Sequence, residues 1–208
     1  LEIIKNEKKI KTSIIITTDK VYENYKNKIF KETDLLGGTD PYSSSKVCVE
    51  LMFKAYYKSF FSKQNYQRLA TVRAGNVIGG GDYSEDRLIP DIYRYYKRKK
   101  NILLRNPKST RPWQHVLEPL SGYLKLAEKI HKMRKNDKIL NWNFGPNISS
   151  CKSVFYIVKY LSKYLNLKIN YLKESSKIFK PETTFLRLSN FKAKRLLKWK
   201  PKWSLNKS

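Results

Sequence analysis

The run "TSIIITTDK", residues 12–20, restricts the architecture more than any other stretch of this chain. A short β-branched run closed by charge at Asp19 and Lys20 reads as a strand buried on both faces, the signature of a parallel sheet. A helix follows in "PYSSSKVCVELMFKAYYKSFF", apolar over a wide face, and a second buried-strand signature in "RLATVRAGNVIG", closed by the glycine cluster "GGGD". Between the first strand and the helix, "ENYKNKIFKETDLLGGTDP" is punctuated by Gly37, Gly38 and Pro41 and reads as a loop over the sheet edge. In doubly wound sheets ligands bind at the carboxyl ends of the strands, where Asp19 and Lys20 stand.

The alternation continues downstream. "RLIPDIYRYYKRKK" and "EPLSGYLKLAEKIHKM" read as amphipathic helices flanking a short "NILLRN" strand, and "ILNWNFGPN" as a strand ending in a turn. "SVFYIVKYLSKYL" has helical spacing, and the tail alternates strand-like "KINYL" and "TFLRLS" with a short helix begun by Ser189 or Asn190. The fold class is therefore α/β.

Charge is the loudest bulk property, at +27 over 208 residues. It admits a basic nucleic-acid-binding protein with steeply salt-dependent affinity. Against that, the Lys and Arg residues are spread along most of the chain with no nucleic-acid motif, the pattern of solvated lysine faces, so no nucleic-acid partner is expected. At helical spacing the aromatic stripe "YRYYKR" reads as a core face rather than a base-stacking platform. Cys48 and Cys151 are the only cysteines and form no metal-ligand spacing, which fits a reducing cytosol and no metal site. Cys48 is expected to pack inward and His131 to be exposed. No apolar run approaches the roughly 20 residues of a membrane span, so a soluble, cytoplasmic protein is expected.

Chemistry concentrates in "DPYSSSK", residues 40–46. Tyr42 and Lys46 stand four residues apart on a helix, hence on one face. A phenol ionises near pH 10, and an adjacent ammonium favours the phenolate a base would need. Alone, such a pair arises easily in a chain this rich in Tyr and Lys. Here it follows a strand ending in Thr18, Asp19 and Lys20, so hydroxyl, carboxylate, amine and phenol can meet at one sheet edge.

With these residues in view, "TTDKVYEN", "GGTDPYSSSKVCVELM", "VRAGNVIGGGD", "RLIPDI", "RNPKSTRPWQHVLEPLSGYLKLAE" and "WNFGPN" resemble the CDP-glucose 4,6-dehydratase family, extended short-chain dehydrogenase/reductases acting on nucleotide sugars. The likeness runs from about residue 14 to the C-terminus. It implies a Rossmann-type doubly wound parallel sheet plus a smaller mixed α/β substrate-binding lobe. Residues 1–85 would be the C-terminal part of the NAD-binding domain, with the catalytic strand and helix. Residues 86–208 would form the substrate lobe, with 139–147 returning to the main sheet. The chain departs from the family pattern in one respect: no GxxGxxG precedes the catalytic strand, and the glycines at 79–81 come after the catalytic helix. The expectation is the C-terminal part of a longer enzyme, lacking roughly a hundred residues. Without them, little turnover and an aggregation-prone sheet edge are expected.

By this resemblance the enzyme uses tightly held NAD to oxidise C4 of a CDP-sugar, eliminates water across C5 and C6, and returns the hydride to C6. Tyr42 takes the C4 hydroxyl proton, Lys46 supports it and bonds the nicotinamide ribose, and Thr18 orients the same hydroxyl. Asp19 is the acid at the C6 hydroxyl, which requires a carboxyl kept protonated by burial. Lys20 stands where TDP-glucose enzymes carry a glutamate base; it serves as base when neutral, or it pairs with Asp19. Asn76, Arg87, Arg105, Arg111 and Asn143 are expected at the substrate, the arginines on the diphosphate. Trp113 and His115 are site walls or backbone anchors. A homodimer is expected for the full-length protein. The same superfamily contains epimerases and decarboxylases that share YxxxK, but an acid and a base directly after the catalytic threonine favour dehydration.

Overall fold

The computed structural model describes residues 1–23, 28–64, 66–104, 106–133, 140–166, 168–171 and 185–208. A short helix α1 (Glu2–Asn6) leads into strand β1 (Thr12–Ile16), which ends in a 3-10 turn over Asp19–Val21. Helix α2 (Pro41–Tyr56) crosses to strand β2 (Arg68–Ala74) after a π-helical turn at Tyr57–Phe61. Then come β3 (Val77–Ile78), α3 (Leu88–Lys97), β4 (Ile102–Leu104), β5 (Thr110–Pro112), β6 (Gln114–His115) and α4 (Leu117–His131). The remainder is β7 (Asn141–Phe144), β8 (Cys151–Ser153), α5 (Val154–Leu165), β9 (Ile169–Tyr171) and α6 (Phe191–Leu197).

The main sheet has the order β1-β2-β7, all parallel, with Ile14 opposite Ala70 and Val72 opposite Trp142. Its middle strand β2 is buried along its first six residues because it has a neighbour on each side. The expectation that β1 is buried on both faces is corrected: its residues are half-buried and Ile16 is 56% exposed. Among the described residues β1 pairs only with β2, so one edge is open and burial is shallower than its composition suggests.

Helices cover both faces of this sheet. On one, Ala70, Val72, Trp142 and Phe144 pack with Leu126 and Ile130 of α4, Ala193 and Leu197 of α6, and Trp199. Gly122 of α4 permits the close approach, since a Cβ there would stand 2.3 Å from the Phe144 ring. On the other face, Phe53, Tyr57 and Phe61 from α2 and its π turn pack on Leu69. Burying one such side chain contributes about 2 kcal/mol, so the layers hold by summed apolar burial.

A second group of elements joins β4 to β9 in parallel and β5 to β8 antiparallel, with α3 and α5 packing Ile92 and Val158 against Ile102 and Leu104. In the "YRYYKR" stripe, Tyr95 packs against this cluster, but Tyr93 and Tyr96 are exposed, so the expected core face holds only in part. The helix is short, and Ile92 already fills its inward position. β3 pairs with β6 and draws "GNVI" beside "QH" at the sheet's carboxyl edge. The chain's end is latched to α4: Glu118 accepts from the backbone N–H of Lys202 at 3.0 Å and of Trp203 at 2.7 Å. No helix of the described residues is long and apolar enough to cross a membrane.

Candidate active site

The first turn of α2 sets the position of the phenol. Asp40 caps it reciprocally: Ser43 N donates to Asp40 Oδ1 at 3.0 Å, and Asp40 N donates to Ser43 Oγ at 3.1 Å. Pro41 at the first helical position supplies a preset φ. Gly38 lies against the same turn so closely that a Cβ would meet Ser44 N at 2.4 Å. Tyr42, the next residue, is 46% exposed, and Lys46 is partly buried on the same face. Two ammonium groups flank the phenol ring: Lys20 Nζ lies 5.8 Å and Lys46 Nζ 5.9 Å from its centroid. Cations over an aromatic ring are drawn to its face and would stabilise negative charge on its oxygen.

The carboxylate of Asp19 adjoins Lys20 in the 3-10 turn that ends β1. Asp19 is 3% exposed; Thr18 Oγ1 donates to its Oδ1 at 3.1 Å, and its Oδ2 is buried without a hydrogen-bond partner. Burial pushes the Asp19 carboxyl up to about 7, against the opposing pull of the Thr18 hydrogen bond and the Arg111 and Lys20 charges. Asp19 forms no ion pair with Lys20 among the described residues, so that alternative for Lys20 is not the arrangement adopted. Gly75 borders the carboxylate. A Cβ there would stand 2.3 Å from Pro112 Cγ and 3.1 Å from Asp19 Oδ2.

Of the expected substrate contacts, Arg111 lies nearest this group: it is buried on β5, its Nη1 donates to Thr110 O at 3.0 Å, and its charge acts on Asp19. Asn76 is half-buried just after Gly75, its carbonyl accepting from Gln114 N at 3.0 Å. Arg87 is exposed at the N-cap of α3. Arg105 lies outside the described residues. Asn143 corrects its expectation. It is 0% exposed, its Oδ1 accepts from Tyr22 OH at 2.7 Å, and its Nδ2 donates to Phe30 O at 3.2 Å. Both ends of the amide are consumed in the interior, because β7 is covered by the Tyr22 and Phe30 rings stacked at 4.9 Å.

The family model described as GDP-mannose 4,6 dehydratase matches residues 1–208. The chain belongs to this family. It is 42% identical over 214 residues to CDP-glucose 4,6-dehydratase of Salmonella typhimurium, an alignment covering all of this chain and 59% of that protein. Among solved structures, dTDP-glucose 4,6-dehydratase of Bacillus anthracis in complex with NAD superposes with a TM-score of 0.79 at 24% identity, over 99% of this chain and 61% of that one. UDP-glucuronic acid 4-epimerase of Bacillus cereus, also with NAD, gives 0.80 at 22% identity with the same coverage. At these identities the structural likeness establishes the fold: α/β with a Rossmann-type parallel sheet.

Other side chains take their places in this dehydratase-family framework. Trp113 is a buried backbone anchor, donating from Nε1 to Lys152 O at 3.0 Å. His115 packs against Trp203, ring centroids 4.5 Å apart. Cys48 is exposed rather than packed inward, because α2 turns Ser43, Glu50 and Phe53 toward the sheet instead. Sequence reasoning missed Tyr123, which lies close enough to Asp19 that burial and the neighbouring carboxylate push its phenol up. It also missed Glu50 and Arg73. A charge inside the apolar run "RLATVRAGN" was the available signal, since a buried guanidinium requires a partner. Among the described residues no cluster of His, Cys, Asp and Glu could hold a metal ion.

Proposed function

We propose that the intact protein carrying these residues dehydrates CDP-glucose to CDP-4-keto-6-deoxyglucose. One observation carries the reading: Lys20, next in the chain to the buried Asp19 whose carboxyl burial pushes up to about 7, lies with Lys46 against the Tyr42 ring at the end of β1. Identity of 42% to the Salmonella CDP-glucose enzyme supports the choice of sugar nucleotide. Residues 1–85 would serve the dinucleotide and 86–208 the sugar nucleotide, in a cytosolic homodimer supplying deoxy sugars for surface polysaccharides.

NAD fits the open face of the site at its nicotinamide end, where the half-exposed Tyr42 and the partly buried Lys46 would hold a ribose hydroxyl. When bound, it supplies the hydride acceptor for C4 and the hydride donor for C6. Tyr42 Oη takes the proton of the C4 hydroxyl, with Lys46 lowering the electrostatic cost of its negative charge. Oxidation at C4 makes the C5 proton acidic, and Lys20 Nζ removes it while neutral. Asp19 delivers its proton to the C6 hydroxyl, which leaves as water. Lys20 then returns a proton to C5 and the Tyr42 proton restores Asp19 through solvent; because the hydride taken from C4 is the one delivered to C6, net redox is zero. Arg111, from β5, would steady the diphosphate beside Asp19.

The test supplies CDP-glucose and NAD to the purified intact protein and follows the product by mass and by its 4-keto absorbance in alkali. Loss of one water with a 4-keto product is expected. Recovery of a C4 epimer, or of unchanged substrate, overturns the reading.

A further inference from the structure

Glu50 stands eight residues after Tyr42 and four after Lys46, so the three share one face of α2. Where the first two face the open edge, Glu50 is buried, and the fully buried Arg73 grips it from β2. Arg73 Nε donates to Glu50 Oε1 at 2.8 Å and Nη2 to Oε2 at 2.9 Å. Thr17 Oγ1 donates to Oε1 at 2.6 Å and Thr71 Oγ1 to Oε2 at 3.0 Å. The third nitrogen, Nη1, donates to Tyr22 OH at 2.8 Å, and that hydroxyl donates on to Asn143 of β7.

Burial alone would lower the Arg73 pKa; the Glu50 hydrogen bonds and the Tyr22 oxygen outweigh it, so the guanidinium stays charged. A desolvated ion pair is a poor source of net stability, but a two-pronged one fixes distance and orientation closely. What it fixes is informative. Thr17 immediately precedes Thr18 and Asp19, so one carboxylate ties the helix bearing Tyr42 and Lys46 to the strand end bearing the acid.

We infer that Glu50, clamped by Arg73, is a positioning residue that sets the height of Tyr42 and Lys46 over Thr18 and Asp19. Its kinetic consequence rests on the dehydratase reading, whereas its geometric consequence does not. A catalytic group displaced by about 1 Å costs on the order of a hundredfold in rate.

The experiment uses the intact protein with Glu50→Gln, which keeps volume but removes charge, and Arg73→Lys, which keeps charge but removes the fork. Thr71→Val is a milder variant that deletes one donor to the carboxylate should the others not fold. Trp199→Phe, on the far face of the sheet, serves as a general destabilisation control. With CDP-glucose, kcat is expected to fall about tenfold to a hundredfold for Glu50→Gln and Arg73→Lys. KM should stay within about twofold and the pH profile of kcat should move, while the control keeps both. Hydrogen exchange of residues 41–47 should quicken by about tenfold or more in the brace variants, with residues 117–131 unchanged. An unmoved kcat and pH profile, an equal loss in the control, or unchanged exchange at 41–47 overturns the proposal. If the wild type turns over no sugar nucleotide, the functional reading fails, and the exchange comparison alone decides the brace.

Discussion

Thr18 donates its hydroxyl proton to Asp19 Oδ1 at 3.1 Å, leaving Asp19 Oδ2 buried and unpartnered. This asymmetry makes the carboxyl a proton holder: one oxygen is oriented, and the other has no dipole to favour charge. A raised carboxyl pKa has a definite sign in stability. Between the unfolded value of 3.8 and the folded value of about 7, the native state binds the extra proton, so stability falls as pH rises and levels off above 7. The drop is on the order of 4 kcal/mol. Urea unfolding from pH 4.5 to 8.5 should show this slope in the wild type. Asp19→Asn should flatten it and be the more stable protein at pH 8.

Exchange of the acid's neighbours separates the chemical steps. Tyr42→Phe should lower turnover of CDP-glucose by about a hundredfold to ten-thousandfold, because among the described residues no other phenol has both Lys20 and Lys46 Nζ against its ring. Lys20→Ala should instead permit C4 oxidation while slowing solvent deuterium incorporation at C5 by a comparable factor. NMR of the recovered sugar reads the two steps independently.

Gly75 marks a place where the backbone leaves no room for a methyl group. A Cβ would lie 2.3 Å from Pro112 Cγ and 2.9 Å from Pro112 O, and beside Asp19 Oδ2. Gly75→Ala should cost about 1–3 kcal/mol by denaturant unfolding and lower activity beyond that loss of stability, since the acid must shift.

At the opposite face, Trp199 is buried, donates from Nε1 to Ser121 Oγ at 3.0 Å, and meets Phe144 edge-on at 5.1 Å. Trp199→Ala should destabilise by about 3–5 kcal/mol, and Trp199→Phe by markedly less. Thermal unfolding of the two variants side by side checks the order.

What could be read from the sequence was local. The Tyr42 and Lys46 pair follows from helical spacing, and the "TTDK" turn from a strand that stops in charge, so both stand where expected near one another. Burial that depends on distant neighbours was not legible. β1 has the composition of a central strand but a partner on one side only among the described residues, and Cys48 faces outward because Glu50 claims the inward face. Asn143 is expected at the substrate from the family-like run "WNFGPN", whereas its partners Tyr22 and Phe30 lie more than a hundred residues earlier. The brace joins Thr17, Tyr22, Glu50, Arg73 and Asn143, and no sequence window contains them together.

The central claim is that one hexose loses a hydride from C4 and regains it at C6 above Tyr42, Lys46 and Asp19. Incubating the intact protein with NAD and CDP-glucose carrying deuterium at C4 tests this most directly. The account predicts a dehydrated 4-keto product with the deuterium at C6. Deuterium retained at C4, in unchanged or epimerised sugar, would contradict it.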